Sequence, residues 1–509
     1  MASPATRARH LGTGRRRERL TVPGFRFAYG RAPAVAAEAM VATSQPLATR
    51  AGLRMLERGG NAADAALAAA AVLCVTEPMS TGIGGDAFAI VCSTAGCEGL
   101  DAAGPAPAHA DPVEPVDERG PRSVTVPGAV RGWQELAARH GRLGLDTCLA
   151  DAIDVAERGF AVAERTAAAW SASSSSAGWA AAVVPPELAP PPRRGDRVVQ
   201  PELAATLRAI AAHGPDAFYR GAVAEAICAA SWLEEEDLAA YRARWVEPLR
   251  LSYRGVEVLE LPPPTQGVAA LEALGLLEGH DEPELRAQID SIRLALEDAR
   301  AHVADGAEVN ELLEPGYLER RRLERSPFAA EPAAGTAYLC VVDSDRTAVS
   351  WIQSLYGSFG SGLVAPGTGV VLQNRGACFA VRGRVEPGRR PYHTIIPGML
   401  VRDGGLLAPF GVMGGFIQAQ AHMQLVSALV DDGLDPQAAL DRPRFWVDGP
   451  LVRLEEGLWH RAGELERLGY EAVCDPDTFG FGGGQAIVVD GDALLGGSDP
   501  RKDGYAAGL

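Results

Sequence analysis

The sequence predicts a layered α+β fold, and three observations lead there. Alanine-rich, apolar stretches with helical character dominate the chain up to about residue 303, short apolar runs broken by turns dominate after Gly335, and no internal repeat is present. Helices first and strands second fit sheets covered by helices better than an alternating βαβ chain. The 509 residues suffice for a large core and more than one domain. Aromatic residues are only 6% of the chain, so alanine and glycine must fill much of the interior, which favours closely packed helices and many turns.

Residues 1–35 read as a poorly ordered leader that carries the basic cluster Arg15-Arg16-Arg17-Glu18-Arg19. An apolar strand is expected over 40–43 and a helix over 46–58, stopped by Gly59-Gly60. Asn61 is placed to cap a nearly all-alanine helix over 62–75. The turn at 82–86 leads into a strand over 87–92, a Pro-rich loop covers 104–121, and a short strand is expected over 123–126. Helical patterns run to about residue 182, a second Pro-rich loop covers 185–201, and 203–238 is mostly helical. A strand over 256–261 ends at three prolines, and a long, largely helical stretch covers 266–303. Strands over 338–342 and 348–355 flank Asp343-Ser344-Asp345-Arg346, a hairpin signal. Further strands are expected over 370–372, 406–411, 486–489 and 493–497, with a helix over 419–432.

The net charge of −17 argues against nucleic acid, which requires a basic footprint. The longest apolar run, 65–75, is too short to span a bilayer, and no apolar segment follows the N-terminal positive charge as a secretory signal requires. The eight cysteines contain no Cys-x-x-Cys pair, and most read as buried thiols in a chain too long to need disulfide staples. The nine histidines show no metal-binding spacing. No metal and no cofactor are expected.

Thr336 stands at the mouth of an apolar strand, directly after a small, loose segment over 329–335. By propensity alone it is a strand residue. Its context is more specific: Cys340-Val341-Val342-Asp343 follows, then Gly357-Ser358-Phe359-Gly360-Ser361-Gly362, Pro366-Gly367-Thr368-Gly369 and Met413-Gly414-Gly415. In that order these segments resemble the small subunit of the γ-glutamyltranspeptidase family, whose members cut their own chain before a threonine and use that threonine as nucleophile. The family pattern is Thr, three residues, Ser or Cys, then Val-Val-Asp, and Thr336, Cys340, Val341, Val342 and Asp343 fit it. The segments 41–46, 59–65 and 81–86 are similar to the family's large subunit, and 496–501 is similar to its C-terminus.

The resemblance implies a four-layer αββα N-terminal-nucleophile (Ntn) hydrolase fold. It implies a cut between Gly335 and Thr336, a large-subunit region over 36–335 and a small-subunit region over 336–509, held together as a heterodimer. The freed α-amine, with an ordinary pKa of about 7.7–8.0, would serve as base to the Thr336 hydroxyl. Gly414 and Gly415 match an oxyanion-hole pair, although a Gly-Gly pair alone is also an ordinary turn. Ser354 lies where the family has a second threonine bonded to the nucleophile, and it is also compatible with a plain strand residue.

The departures from the family concern the substrate. The segment matching the family's carboxylate-binding arginine, 101–107, contains no arginine. In the segment 373–379, Cys378 replaces the acid that holds a substrate ammonium, and Arg375 adds a cation. His393-Thr394 stands in place of a serine pair, and Tyr356 precedes the glycine-rich lid segment. A cation without an acid favours an acyl group that is only an anion, such as an oxalyl group or a dicarboxylic acyl chain. An internal ion pair for Arg375 and core packing for Tyr356 are the structural alternatives. The resemblance is to the divergent branch with oxamate amidohydrolase-like and cephalosporin acylase-like members. It implies a self-processing amidohydrolase or acyltransferase acting on a small amide or acyl substrate; many relatives in the family are exported, so the missing secretory signal suggests a cytoplasmic member. The alternatives are a true γ-glutamyltransferase or glutathione hydrolase, and an uncut binding homologue.

Overall fold

A computed structural model describes residues 30–113, 117–175, 188–280, 284–324 and 335–509. Two seven-stranded sheets form its centre. One runs in the order Tyr505–Gly508, Met40–Thr43, Gly335–Val342, Ala348–Tyr356, Asp86–Ser93, Gly96–Ala102 and Arg244–Val246. The other runs Ala34–Ala36, Ala493–Ser498, Gly483–Asp490, Gly405–Met413, Gly398–Arg402, Val256–Glu260 and Leu249–Tyr253. Neighbouring strands are antiparallel throughout both.

Side-chain alternation builds the layers. In Gly335–Val342, Tyr338, Cys340 and Val342 face Met399, Met413, Ile487 and Leu494 of the other sheet. Leu339 and Val341 point the other way, into a core shared with the outer helices. The two sheets therefore pack face to face, and helices cover both outer faces, which gives the four-layer αββα Ntn-hydrolase architecture. One helical layer includes Pro46–Glu57, Ala62–Thr76 and Leu145–Arg158; the other includes Gly267–Leu277, Leu285–His302 and Ile417–Val430.

Helix Ala62–Thr76 has all fifteen residues buried, and its alanines let neighbours approach closely. Asn61 caps it: the side chain accepts from Ala63 N and Asp64 N, and Asp64 reaches back to Asn61 N. Asp343 accounts for its place in the motif. One carboxylate oxygen accepts from Ala62 N at 2.9 Å, at the positive end of that helix, and the other accepts from Asp345 N and Thr347 N and closes the hairpin. The strand that begins at Gly335-Thr336 is thus tied to the buried helix at its far end.

Several expectations are corrected. The strand expected over 123–126 is the 3-10 turn Pro121–Ser123 followed by extended chain outside any ladder; Pro121 and Pro127 both lack the N–H a ladder needs. The leader expected over 1–35 ends earlier, because Ala34–Ala36 pairs with Ala493–Ser498 and Arg31 donates to Ser498 O at 2.6 Å. Residues 1–29 lie outside the described residues, as do 176–187 of the expected helical stretch and 329–334 of the loose segment. The cysteines are not all thiols: Cys92 and Cys97 face each other across the Asp86–Ser93 and Gly96–Ala102 hairpin and form a disulfide. Strands Gly96–Ala102, Arg244–Val246 and Leu249–Tyr253 carry too much charge and glycine to be seen as apolar runs. No helix among the described residues is long and apolar enough to cross a membrane.

The C-terminal motif closes the second sheet through buried charges. Asp499 bonds the Arg444 guanidinium at 2.6 Å and Arg501 at 3.0 Å, and Glu455 accepts from Arg501 Nε at 2.7 Å. Burial pushes the Asp499 carboxyl up, but the two guanidiniums outweigh it and hold it at about 2. Because its folded pKa lies below the unfolded value, this group stabilises the fold above about pH 4 and the contribution fades as pH falls toward 2. Asp499→Asn is expected to cost about 3–5 kcal/mol by leaving the buried Arg444 guanidinium without a carboxylate, and to flatten the acid limb of a stability–pH curve measured by urea unfolding.

Candidate active site

Thr336 enters its sheet at an irregularity. Gly335 pairs with Tyr356 and Ala337 with Gln353, so Ser354 and Leu355 together oppose Thr336 alone. A bulge of this kind bends the strand and re-aims one side chain. Here it brings two hydroxyls together at the strand mouth. Thr336 Oγ1 donates to Ser354 Oγ at 3.2 Å, and Ser354 Oγ donates to the Gly335 carbonyl oxygen at 2.7 Å. Tyr356 N donates to Ser354 Oγ at 2.8 Å, and Gln418 Nε2 reaches Thr336 Oγ1 at 3.4 Å.

The chain thus holds the Thr336 hydroxyl, the Ser354 hydroxyl and the Gly335 carbonyl oxygen in one hydrogen-bonded line. Such a line can carry a proton away from the Thr336 hydroxyl while the Gly335 carbonyl is polarised. Thr336 is only 2% exposed, so few waters compete for these bonds. A side chain on Gly335 would lie 3.0 Å from Met79 O and 3.3 Å from Ser80 Cα, so glycine is the residue that lets the chain pass here.

Gly414 and Gly415 form the junction between strand Gly405–Met413 and helix Ile417–Val430, with φ of 137° and 76°. Both conformations favour glycine, and the turn presents its backbone at the start of a fourteen-residue helix, where N–H groups and the helix dipole favour a developing anion. Gly414 and Thr336 line the same cleft. The strand is braced from behind: Val412 N donates to His422 Nε2 at 3.0 Å, and His422 Nδ1 is 2.6 Å from Glu260. Burial pushes the His422 pKa down to about 3, so the ring is neutral and its one proton points at Glu260.

Arg375 is fully buried, and among the described residues it has no carboxylate partner. Nη1 donates to Thr394 Oγ1 at 3.0 Å and lies 3.7 Å from Cys378 Sγ, and Nη2 is 3.4 Å from Ser354 Oγ. The guanidinium stands 4.6 Å over the Tyr356 ring, and its Nε has no hydrogen-bond partner. Tyr356 itself has φ of 72°, a strained value for a large side chain. The internal ion pair that would have explained Arg375 structurally is absent among the described residues. The core-packing alternative for Tyr356 holds alongside its cation–π contact, since it packs with Cys378 and Tyr392.

The expected site residues divide accordingly. Gly335, Thr336 and Gly414 line the cleft, with Gly415 next in the chain and Ser354 buried beneath Thr336, while Arg375, Cys378, Tyr356 and Thr394 form a group directly behind Ser354. His393 turns away: Nε2 meets Asp86 at 3.0 Å and Nδ1 meets Pro391 O at 2.8 Å, in a buried setting that lowers its pKa. It fixes a loop onto Asp86, which also accepts from Gly104 N, Gly128 N and Gln373 Nε2. Cys340 faces the inter-sheet core, where burial raises its pKa well above the ordinary thiol range.

Sequence reasoning missed Gln418, which bonds both Thr336 and Ile396 N, and Gln266, which holds Thr394 O at 2.7 Å and Gly415 O at 3.3 Å. The position of Gln418, three residues past Gly415 in the first helical turn, was the available signal. Among the described residues, no cluster of His, Cys, Asp and Glu is arranged to hold a metal ion.

A model of the gamma-glutamyltranspeptidase family matches residues 48–509. The glutathione hydrolase-like YwrD proenzyme of Bacillus subtilis is 33% identical, covering 92% of this chain and 98% of the relative. The oxamate amidohydrolase proenzyme of Klebsiella pneumoniae is also 33% identical, over 93% of this chain and 99% of its own. The crystal structure of a cephalosporin acylase from Bacillus halodurans superposes with a TM-score of 0.89 at 40% identity, covering 96% of this chain and 99% of that one. The chain belongs to the gamma-glutamyltranspeptidase family and is a hydrolase of the N-terminal-nucleophile type.

Proposed function

We propose that the chain cuts itself between Gly335 and Thr336 and then hydrolyses small amides whose acyl group carries a carboxylate, with oxamate as the type substrate. The observation that carries this reading is the hydrogen-bonded line from Thr336 through Ser354 to Gly335 O, with the unpaired Arg375 guanidinium directly behind it.

In the cut, Thr336 Oγ1 bonds to the Gly335 carbonyl carbon, and the Gly335–Thr336 C–N bond breaks. The hydroxyl proton ends on the released amine, and water then hydrolyses the ester. In turnover the freed amine takes the hydroxyl proton and passes it to the leaving amine of the substrate, and the acyl group stays on Thr336 as an ester until water removes it. Gly414 and Gly415 supply backbone N–H groups to the oxyanion; losing one such donor typically costs about 10²–10³ in rate. The large and small fragments remain one heterodimer because each of the two sheets pairs strands from both fragments.

Arg375 sets the acyl group. Only the Ser354 hydroxyl separates it from Thr336, so an anion paired with it must be attached close to the reacting carbonyl, as in an oxalyl group. A zwitterionic γ-glutamyl group would bring an ammonium toward Arg375, with Cys378 where an acid would be needed. The relatives named oxamate amidohydrolase and cephalosporin acylase support the amide-hydrolase reading. Glutathione hydrolase activity is the alternative, and the names of other relatives support it.

Oxamate hydrolysis followed by ammonia release tests the substrate, with γ-glutamyl-p-nitroanilide alongside. Turnover of oxamate at least about tenfold above the γ-glutamyl amide is expected, and the reverse order would overturn the substrate assignment. Arg375→Met is expected to raise KM for oxamate by about 10–100-fold, the worth of a charge-assisted bond, while leaving thermal stability equal or higher because an unpaired buried cation is removed. Ser354→Ala is expected to slow self-cleavage by about 10²-fold or more, read as fragment appearance over time. The kcat/KM of the cut enzyme should rise with pH through about 7–8 as the α-amine loses its proton.

A further inference from the structure

The cleft in front of Thr336 holds about 360 Å³, far more than the ammonia released from oxamate would need. Arg375 does not line it, so an acyl group directed at Arg375 leaves the cleft to the other half of the substrate. The walls of this cleft have a definite chemistry.

On the Gly335 side stands Arg119. Its Nη1 donates to both Ser358 O at 2.9 Å and Gly360 O at 2.8 Å. Nε is buried and has no hydrogen-bond partner, so the Nε–Nη2 edge is unsatisfied, and that edge is the one that grips a carboxylate side-on with two parallel bonds. On the Gly414 side stands Lys502, the only lysine in the chain. Its Nζ lies 4.8 Å from the centre of the Phe479 ring. Among the described residues neither cation has a carboxylate within ion-pair distance.

The third cation, Arg453, is already engaged by Asp448 at 2.8 Å and Asp475 at 3.2 Å. Phe479 adds flat, partly exposed apolar surface to the same wall; Trp446 also lines it but is buried, with the Arg453 guanidinium 5.4 Å over its ring.

We propose that this cleft receives the amine half of the substrate, and that it takes a flat, aromatic amine bearing a carboxylate. Phe479 supplies the face, and Lys502 with the unsatisfied edge of Arg119 supplies the positive charge. The proposal rests on the amide-hydrolase reading only for which half of the substrate enters the cleft. On acylation of Thr336 this amine leaves with the transferred proton, and no other reactant is needed.

Titration calorimetry with 4-aminobenzoate as the probe and aniline as its neutral counterpart tests this on the purified protein. No acyl group is present, so the result stands whether or not oxamate proves to be a substrate. The wild type is expected to bind 4-aminobenzoate saturably and at least about tenfold more tightly than aniline, the scale of one charge-assisted bond. Lys502→Met keeps the stem that packs over Phe479 and is expected to lose most of that difference, and Lys502→Arg to retain it. Arg119→Met provides the second variant, since Arg119 also anchors a turn. Preference for the anion lost in either Met variant supports the proposal. No saturable binding to the wild type, or a preference unchanged in both Met variants, overturns it.

Discussion

The Ser354 hydroxyl is the point on which the site turns. It accepts from Thr336 and from Tyr356 N, donates to the carbonyl of Gly335, and has Arg375 Nη2 at 3.4 Å. A hydroxyl that accepts from one donor is a stronger donor to the next, so the line from Thr336 to the Gly335 carbonyl is reinforced by the groups around it. That geometry depends on the bulge, since in regular pairing a single residue would oppose Thr336. The bulge in turn depends on two anchors. The far end of the Thr336 strand is fixed by Asp343 on the buried alanine helix, and the neighbouring strand is fixed at the bulge by Leu355 N bonding Ser80 O at 3.2 Å. Fold and chemistry are therefore joined at one strand mouth.

Arg375 stands out energetically. A fully buried guanidinium with an orphaned Nε and only hydroxyl, thiol and ring neighbours carries a desolvation cost that no carboxylate offsets among the described residues. Arg444 and Arg501 show the contrast: both are buried, and both have carboxylates at hydrogen-bond distance. The second pattern belongs to a structural cation and the first to one that awaits an anion. The same contrast separates Arg119 and Lys502 from Arg453 in the cleft.

Much of this was legible in the sequence because it rested on local rules. The Asn61 cap, the buried alanine helix, the hairpin at Asp343 and the glycine pair at the strand-to-helix turn all follow from residue type and spacing. What was not legible depended on tertiary neighbours. Gly96–Ala102 is a strand because Asp86–Ser93 and Arg244–Val246 flank it, not because its own residues favour one. The disulfide joins cysteines that meet only once that hairpin forms. His393 stood in a site motif by position, yet the fold turns it onto Asp86. Gln418, Arg119 and Lys502 come from three distant segments and meet at the site only in the folded chain.

The central claim is that Thr336 is the residue at which the chain cuts itself and the atom on which it works. Intact-mass measurement of the purified protein beside Thr336→Ala tests it most directly. The account predicts two fragments in the wild type, the smaller beginning at Thr336, and one uncut chain in the variant. A single full-length mass in the wild type after long incubation, or a Thr336→Ala chain that still separates at the same bond, would contradict it.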